Sequence, residues 1–302
     1  MFLRIILVSI ITVLSHLASS QEVLVLGVAQ DAGHPQINCE KYCCKDAFQN
    51  KDKAHMVSSL AVSDGKNFYI LDATPDFTAQ LETAKKVFSG QGFGGIILTH
   101  AHIGHYTGLM YLGKEAMNAR SVPVYVMPKM KAFLEANGPW NQSVDLKNIK
   151  LITLKEDQEL ELSPTISLTP MLVPHRDEFS ETAGYSINNN GKIILFIPDI
   201  DKWKRWNRDI LELIKNCDYA FLDATFYDEH ELPGRDISQI PHPFVSESIA
   251  LFDSLNKEDK RKIHFIHFNH TNPLLNTESQ EFAETIVRGY MISQEGVLLH
   301  MD

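Results

Sequence analysis

The stretch Leu98–Gly108, LTHAHIGHYTG, sets three histidines, His100, His102 and His105, within six positions. It continues Gly95-Ile96-Ile97-Leu98, a short β-branched run bounded by glycine that predicts a buried strand. The histidines then fall where a strand ends and a helix begins. Residues two apart at a strand end point to the same side, so His100 and His102 converge, and His105 joins them from the next turn. Neutral imidazole is the commonest protein ligand for zinc and related metals, and three convergent rings bind far better than one. The pattern predicts a metal centre.

The string resembles the H-x-H-x-D-H signature of the metallo-β-lactamase superfamily, with Gly104 standing where the aspartate belongs. That resemblance covers nearly the whole chain after residue 20. It implies an α/β fold, an αββα sandwich, and it implies roles for later residues. His175, after Met171-Leu172-Val173, matches the third ligand of a first cation held with His100 and His102. Asp199, beyond the strand 192–197, matches the carboxylate shared between two cations, and His105 and His267 would hold the second. Read without the resemblance, Asp199 is equally a cap for a helix over 202–215.

Asp72, in LDATPD, would support the histidine loop, because a carboxylate behind a ligating imidazole fixes its tautomer and orientation. By itself it is equally the N-terminal acid of a helix over 76–88. Asp223-Ala224-Thr225-Phe226 resembles the Glu-Ala-Thr-Phe run of tRNA-processing members and gives Asp223 a similar supporting role. His242, between Pro241 and Pro243, corresponds to a histidine that assists proton transfer in those relatives; a surface histidine is the alternative. Catalysis would rest on Asp199 and His242. Gly104 removes a charged oxygen ligand, so the second cation is expected to bind weakly, and Gly104→Asp to tighten it.

Cys39, Cys43 and Cys44 cluster within NCEKYCC. A disulfide from Cys39 to one of the other two, or a structural zinc, are both open from the residues alone. The preceding Gly33-His34-Pro35-Gln36, with Asn38-Cys39, resembles the pyrroloquinoline quinone biosynthesis protein B branch. The cysteines also resemble those of the phosphonate-pathway cyclic phosphodiesterases, although C-x3-C-C departs from both. Those phosphodiesterases complete a cysteine-bound zinc with a histidine three residues after the last active-site ligand. His270 fits that place, so the resemblance implies a site of Cys39, Cys43, Cys44 and His270.

The remainder is bounded by composition. Arg4, the apolar stretch 5–14 and Ala18-Ser19-Ser20 have the layout of a secretory signal peptide over residues 1–20, with an uncleaved anchor as the competing reading. The expected product is exported, periplasmic or secreted, and free of the membrane once that segment is removed. Residues 21–302, about 280 in number, suffice for one domain whose core needs no disulfide staples. No linker, repeat or low-complexity tract divides them. A net charge of −10, with both signs interspersed, argues against nucleic acid as a partner. Oligomeric state leaves no signature.

The expected function is an exported metal-dependent hydrolase acting on a small ester, phosphodiester or amide, with one or two zinc ions, iron or manganese being alternatives. A second expectation is an iron-dependent, oxygen-activating enzyme like that of the quinone-biosynthesis branch, whose typical members lack the first two histidines. A third is a non-catalytic metal or small-molecule binding protein on the same fold.

Overall fold

Val23 and Val25 pack into one apolar cluster, whereas Leu24 and Leu26 pack into another. The same period-two split recurs at Tyr69 and Leu71 against Phe68 and Ile70. These strands are therefore buried on both faces, and a sheet so placed needs a layer on each side. The structure, a computed structural model, describes residues 21–301. The signal segment expected over residues 1–20 lies outside the described residues.

The strands in chain order are β1 (Glu22–Gly27), β2 (Ser59–Ser63), β3 (Asn67–Leu71), β4 (Gly92–Ile97), β5 (Val122–Val126), β6 (Ile149–Thr153) and β7 (Leu160–Glu161). They continue with β8 (Ile166–Leu172), β9 (Ala183–Asn189), β10 (Lys192–Ile197), β11 (Tyr219–Asp223), β12 (Ile263–Ile266), β13 (Met291–Ile292) and β14 (Leu298–His300). They form two seven-stranded sheets, ordered β14-β1-β2-β3-β4-β5-β6 and β13-β12-β11-β10-β9-β8-β7. Each sheet is part antiparallel and part parallel, the parallel strands being β3 to β6 in the first and β10 to β13 in the second.

Between the sheets, Val25, Leu60, Leu71 and Ile97 share one apolar cluster with Leu168, Tyr185, Ile187 and Ile194. Outside the first sheet, Phe77 and Leu81 of helix Phe77–Val87 and Met130 and Leu134 of helix Pro128–Ala136 cover Leu24, Ile70 and Val124. Ile214, Ile249 and Phe252, on helices Ile210–Lys215 and Val245–Phe252, belong to the cluster that covers the second sheet. This is the expected αββα sandwich. Each such buried aliphatic or aromatic side chain contributes about 1.5–3 kcal/mol, which lets the fold carry a rim of buried polar groups.

Several local expectations are corrected. The helix expected over 202–215 is a short turn, Trp203–Arg205, followed by helix Ile210–Lys215. Trp203 and Trp206 anchor the intervening chain, their indole N–H groups donating to Ser248 Oγ and to the Leu172 carbonyl. Asp209, whose carboxylate accepts from Leu211 N and Glu212 N, is the cap, and Asp199 is not. Helix Ile103–Tyr106 tightens into a 3-10 turn at Thr107–Leu112, because the Gly108 and His105 backbones bond to Ala73 rather than only along the helix. The alternating apolar and polar residues of 151–187 predict antiparallel strands, but β6 pairs parallel with β5 in the first sheet. β12 stops before His267, whose backbone has φ +67.

Candidate metal centre

The ends of β3, β4, β10, β11 and β12 lie along one rim of the sandwich, where ligands of parallel sheets generally bind. Asp72, fully buried directly after β3, adopts φ +65 and turns its carboxylate toward β4. Oδ1 accepts from Thr99 N at 2.7 Å and from the Thr99 hydroxyl at 3.0 Å. Oδ2 lies 2.7 Å from His105 Nδ1, which therefore donates, so that in the neutral ring Nε2 is the free electron pair. The Tyr185 hydroxyl donates to the Leu98 carbonyl and fixes the strand end just before the histidines.

Four atoms converge beyond this loop. His100 Nε2 is 2.8 Å from His102 Nδ1 and 3.3 Å from Asp199 Oδ2. His175 Nε2 is 3.3 Å from His102 Nδ1 and 3.2 Å from Asp199 Oδ2. Bonds of 2.0–2.1 Å to a tetrahedral cation imply ligand separations of about 3.3 Å, so the donor set fits a cation at its centre. His102 Nε2 is tied outward to Glu178 Oε2 at 2.9 Å.

A second cluster adjoins the first and comprises His105, His267 and Asp31. His105 Nε2 is 3.4 Å from Asp31 Oδ1 and 3.9 Å from Asp199 Oδ2. The Nε2 atoms of His105 and His267 and Oδ1 of Asp31 are buried and make no hydrogen bond. Asp223 repeats the Asp72 arrangement in the second half of the fold: Oδ1 accepts from Thr225 N and Oγ1, and Thr225 Oγ1 lies 3.0 Å from His267 Nδ1. Asp223 Oδ2 lies 2.9 Å from His242 Nδ1, which is also 3.3 Å from Asp199 Oδ1.

Buried carboxylates at positions 72, 199 and 223, with Asp31 beside them, demand positive charge. In this structure protons would supply it. Burial disfavours a charged His105, yet Asp72 and Asp31 outweigh that and raise it to about 10. His242 is likewise raised to about 9 by Asp223 and Asp199 against the cost of burial. His100 is held well below the usual range by burial and by His105. One or two cations would meet the same demand without protonating the ligands. Asp72→Asn is expected to weaken metal binding by about 10–100-fold, measurable by competition with a chelator, while leaving the fold intact.

On the neighbouring loop, helix Tyr42–Gln49 carries Cys43 and Cys44. Cys39, Cys43, Cys44 and His270 offer ligand atoms within 4.8 Å of one another. Cys44 Sγ is 3.3 Å and Cys43 Sγ 3.9 Å from His270 Nδ1, and the two sulfurs are 3.9 Å apart. All three are free thiols, so the disulfide alternative is not what the chain adopts here; Cys217 is also free and buried apart from them. Zinc–sulfur bonds of 2.3 Å imply tetrahedral edges of about 3.8 Å, which suits this spacing. His267 thus faces the active rim and His270 the cysteines. His264, on the opposite face of β12, packs on Phe221, and burial lowers it to about 4.

The structure brings together His100, His102, His175 and Asp199 as one group, His105 and His267 as part of another, and His242 with Asp223 between them. Sequence reasoning missed Asp31, Thr99, Thr225 and Glu178. Only Asp31 left a signal, an acid in the Gln30-Asp31-Ala32-Gly33 loop after the first strand.

This two-sheet fold with histidine-rich strand ends defines a metallo-β-lactamase-type protein. The chain belongs to the beta-lactamase superfamily, whose domain model, described as "Beta-lactamase superfamily domain", matches residues 67–268. Coenzyme PQQ synthesis protein B of Acinetobacter baylyi is 26% identical over 309 residues, covering 92% of this chain and 99% of that protein. The zinc-bound PqqB crystal structure from Methylobacterium extorquens superposes with a TM-score of 0.78 at 24% identity, covering 93% of this chain and all of that one. A diphosphatase of the PhnP family superposes with a TM-score of 0.65 at 21% identity, covering 93% and 96%. Both likenesses concern the fold.

Proposed function

We propose that the chain is a metal-dependent hydrolase of a small ester, phosphodiester or amide. The observation that carries this reading is the convergence of His100 Nε2, His102 Nδ1, His175 Nε2 and Asp199 Oδ2 within 4.8 Å of one another, linked by contacts of 2.8–3.9 Å, at a rim where the Nε2 atoms of His105 and His267 make no hydrogen bond. A bound cation would lower the pKa of water toward neutrality and polarise a phosphoryl or carbonyl oxygen. Asp72 and Asp223 hold the imidazoles of His105 and His242 in fixed tautomers, and Thr99 and Thr225 link each acid to a second ring. His242, in contact with Asp199 but outside the first group of nitrogens, is placed to deliver a proton to a leaving oxygen or nitrogen.

His242→Gln should leave metal content unchanged and lower kcat by about 10²–10⁴-fold, the usual range for a lost general acid. An unchanged kcat would remove His242 from the reaction.

A second reading is favoured by the likeness to coenzyme PQQ synthesis protein B along 92% of the chain. Imidazole with carboxylate also suits iron, so an oxygen-activating enzyme fits the donor set. Metal content of protein purified without added metal, paired with a turnover screen, separates the readings: zinc with ester or phosphodiester turnover, or iron with oxygen consumption.

A further inference from the structure

We infer that Asp31 is a ligand of a second active-site cation, reaching in from the loop after β1 to replace the carboxylate that Gly104 removes from the histidine motif. In sequence the motif is one oxygen short. In space it is not. A Cβ built on Gly104 would lie 2.5 Å from Asp31 Oδ1, 2.5 Å from Asp31 Cα and 3.2 Å from Asp31 Cβ. The Asp31 side chain thus occupies the volume that a residue-104 side chain would need, and it enters from the opposite direction. Its Oδ1 lies 3.4 Å from His105 Nε2 and groups with His267 as well. All three atoms are buried without a hydrogen bond, an arrangement that costs stability unless a further group meets them.

The loop is built to hold this position. Ala29 bridges to Val57 of the first sheet's side and to Phe268, the residue after His267. Gln30 N donates to the Phe268 carbonyl at 2.8 Å, and Gly33 N closes a turn onto the Gln30 carbonyl at 2.8 Å. Asp31 is therefore tied by its own backbone neighbours to the strand end that supplies His267. The absence of a side chain at 104 is what lets the loop approach. Gly and Asp at these two positions act as a pair: the carboxylate is retained while its point of attachment changes. On this assignment Gly104 does not leave the second cation short of an oxygen, and Gly104→Asp would not tighten it, contrary to the expectation from the motif alone. An added side chain would press on the Asp31 backbone and push the existing ligand away.

This inference rests on the metal-dependent reading, and the test keeps the two apart. The full chain, stripped of loosely held metal with its cysteines left loaded, is titrated with zinc by calorimetry and with cobalt by visible absorption. The parent protein should take up two active-site cations. Asp31→Asn, nearly isosteric, should keep the first and weaken the second by at least the 10–100-fold (roughly) that loss of a mere supporting bond costs. Asp31→Ala should do the same, with apo-protein melting curves reporting that both variants fold. His175→Ala should show the reverse loss, and Gly104→Asp should give no tightening. Two cations bound by Asp31→Asn with parental affinities, or a tighter second cation in Gly104→Asp, would overturn the assignment of Asp31. A parent protein that binds nothing at His100, His102 and His175 would instead overturn the metal-dependent reading itself.

Discussion

Replacing His102 by alanine is expected to empty the first cation position and reduce hydrolysis to background. His102 Nδ1 lies 2.8 Å from His100 Nε2 and 3.3 Å from His175 Nε2, so its loss opens the donor set at its centre. The effect on rate should be large, because the cation's contribution is to take water from a pKa of about 15.7 to about 7. Stability should change little. His102 sits at the mouth of the site, its side chain 12% exposed, and its outer nitrogen bonds to Glu178. Metal analysis and a melting curve on the same preparation check both halves: one metal fewer per chain, with the fold retained. Unchanged metal stoichiometry in a folded His102→Ala protein would contradict the proposed ligand set.

The second large effect is expected at the cysteines, and it falls on stability rather than chemistry. We expect Cys39, Cys43, Cys44 and His270 to hold zinc, and His270→Ala or strong chelation to release it. Burial pushes the Cys44 thiol up to about 12 and raises that of Cys43, so without a cation these two sulfurs stay neutral and give little cohesion. A dication would draw them together as thiolates and tie helix Tyr42–Gln49 to the segment after β12. Metal that binds only the folded chain adds its binding free energy to folding. At free zinc about a thousandfold above Kd that is about 4 kcal/mol, or a Tm shift of about 7 °C for a domain of this size. His270→Ala should show that loss while His102→Ala does not. Three thiols titratable without chelator in fully stable protein would contradict the zinc assignment.

Much of this architecture could be read from the chain because its causes are local. The run Gly95–Leu98 and the apolar stretch at 192–197 each carry their strand signal within a few residues. The histidine motif was legible for the same reason. Asp199 was harder, since an acid after a strand is also a helix cap, and only Asp209 bonding to Leu211 N and Glu212 N settles which residue caps the helix. The broken helix at 203–215 depends on Trp203 and Trp206 finding Ser248 and Leu172, contacts 45 and 34 residues away. Asp31 lies 74 residues from His105 and was invisible to any spacing rule. Its role emerges only when Gly104 and the loop after β1 are seen to share one volume.

The most direct measurement is anomalous X-ray scattering from crystals of protein purified without added metal and without chelator. A peak should stand within bonding distance of His100 Nε2, His102 Nδ1, His175 Nε2 and Asp199 Oδ2, with its absorption edge naming the element. A catalytically active crystal lacking any peak at those four atoms would contradict a metal-dependent centre here.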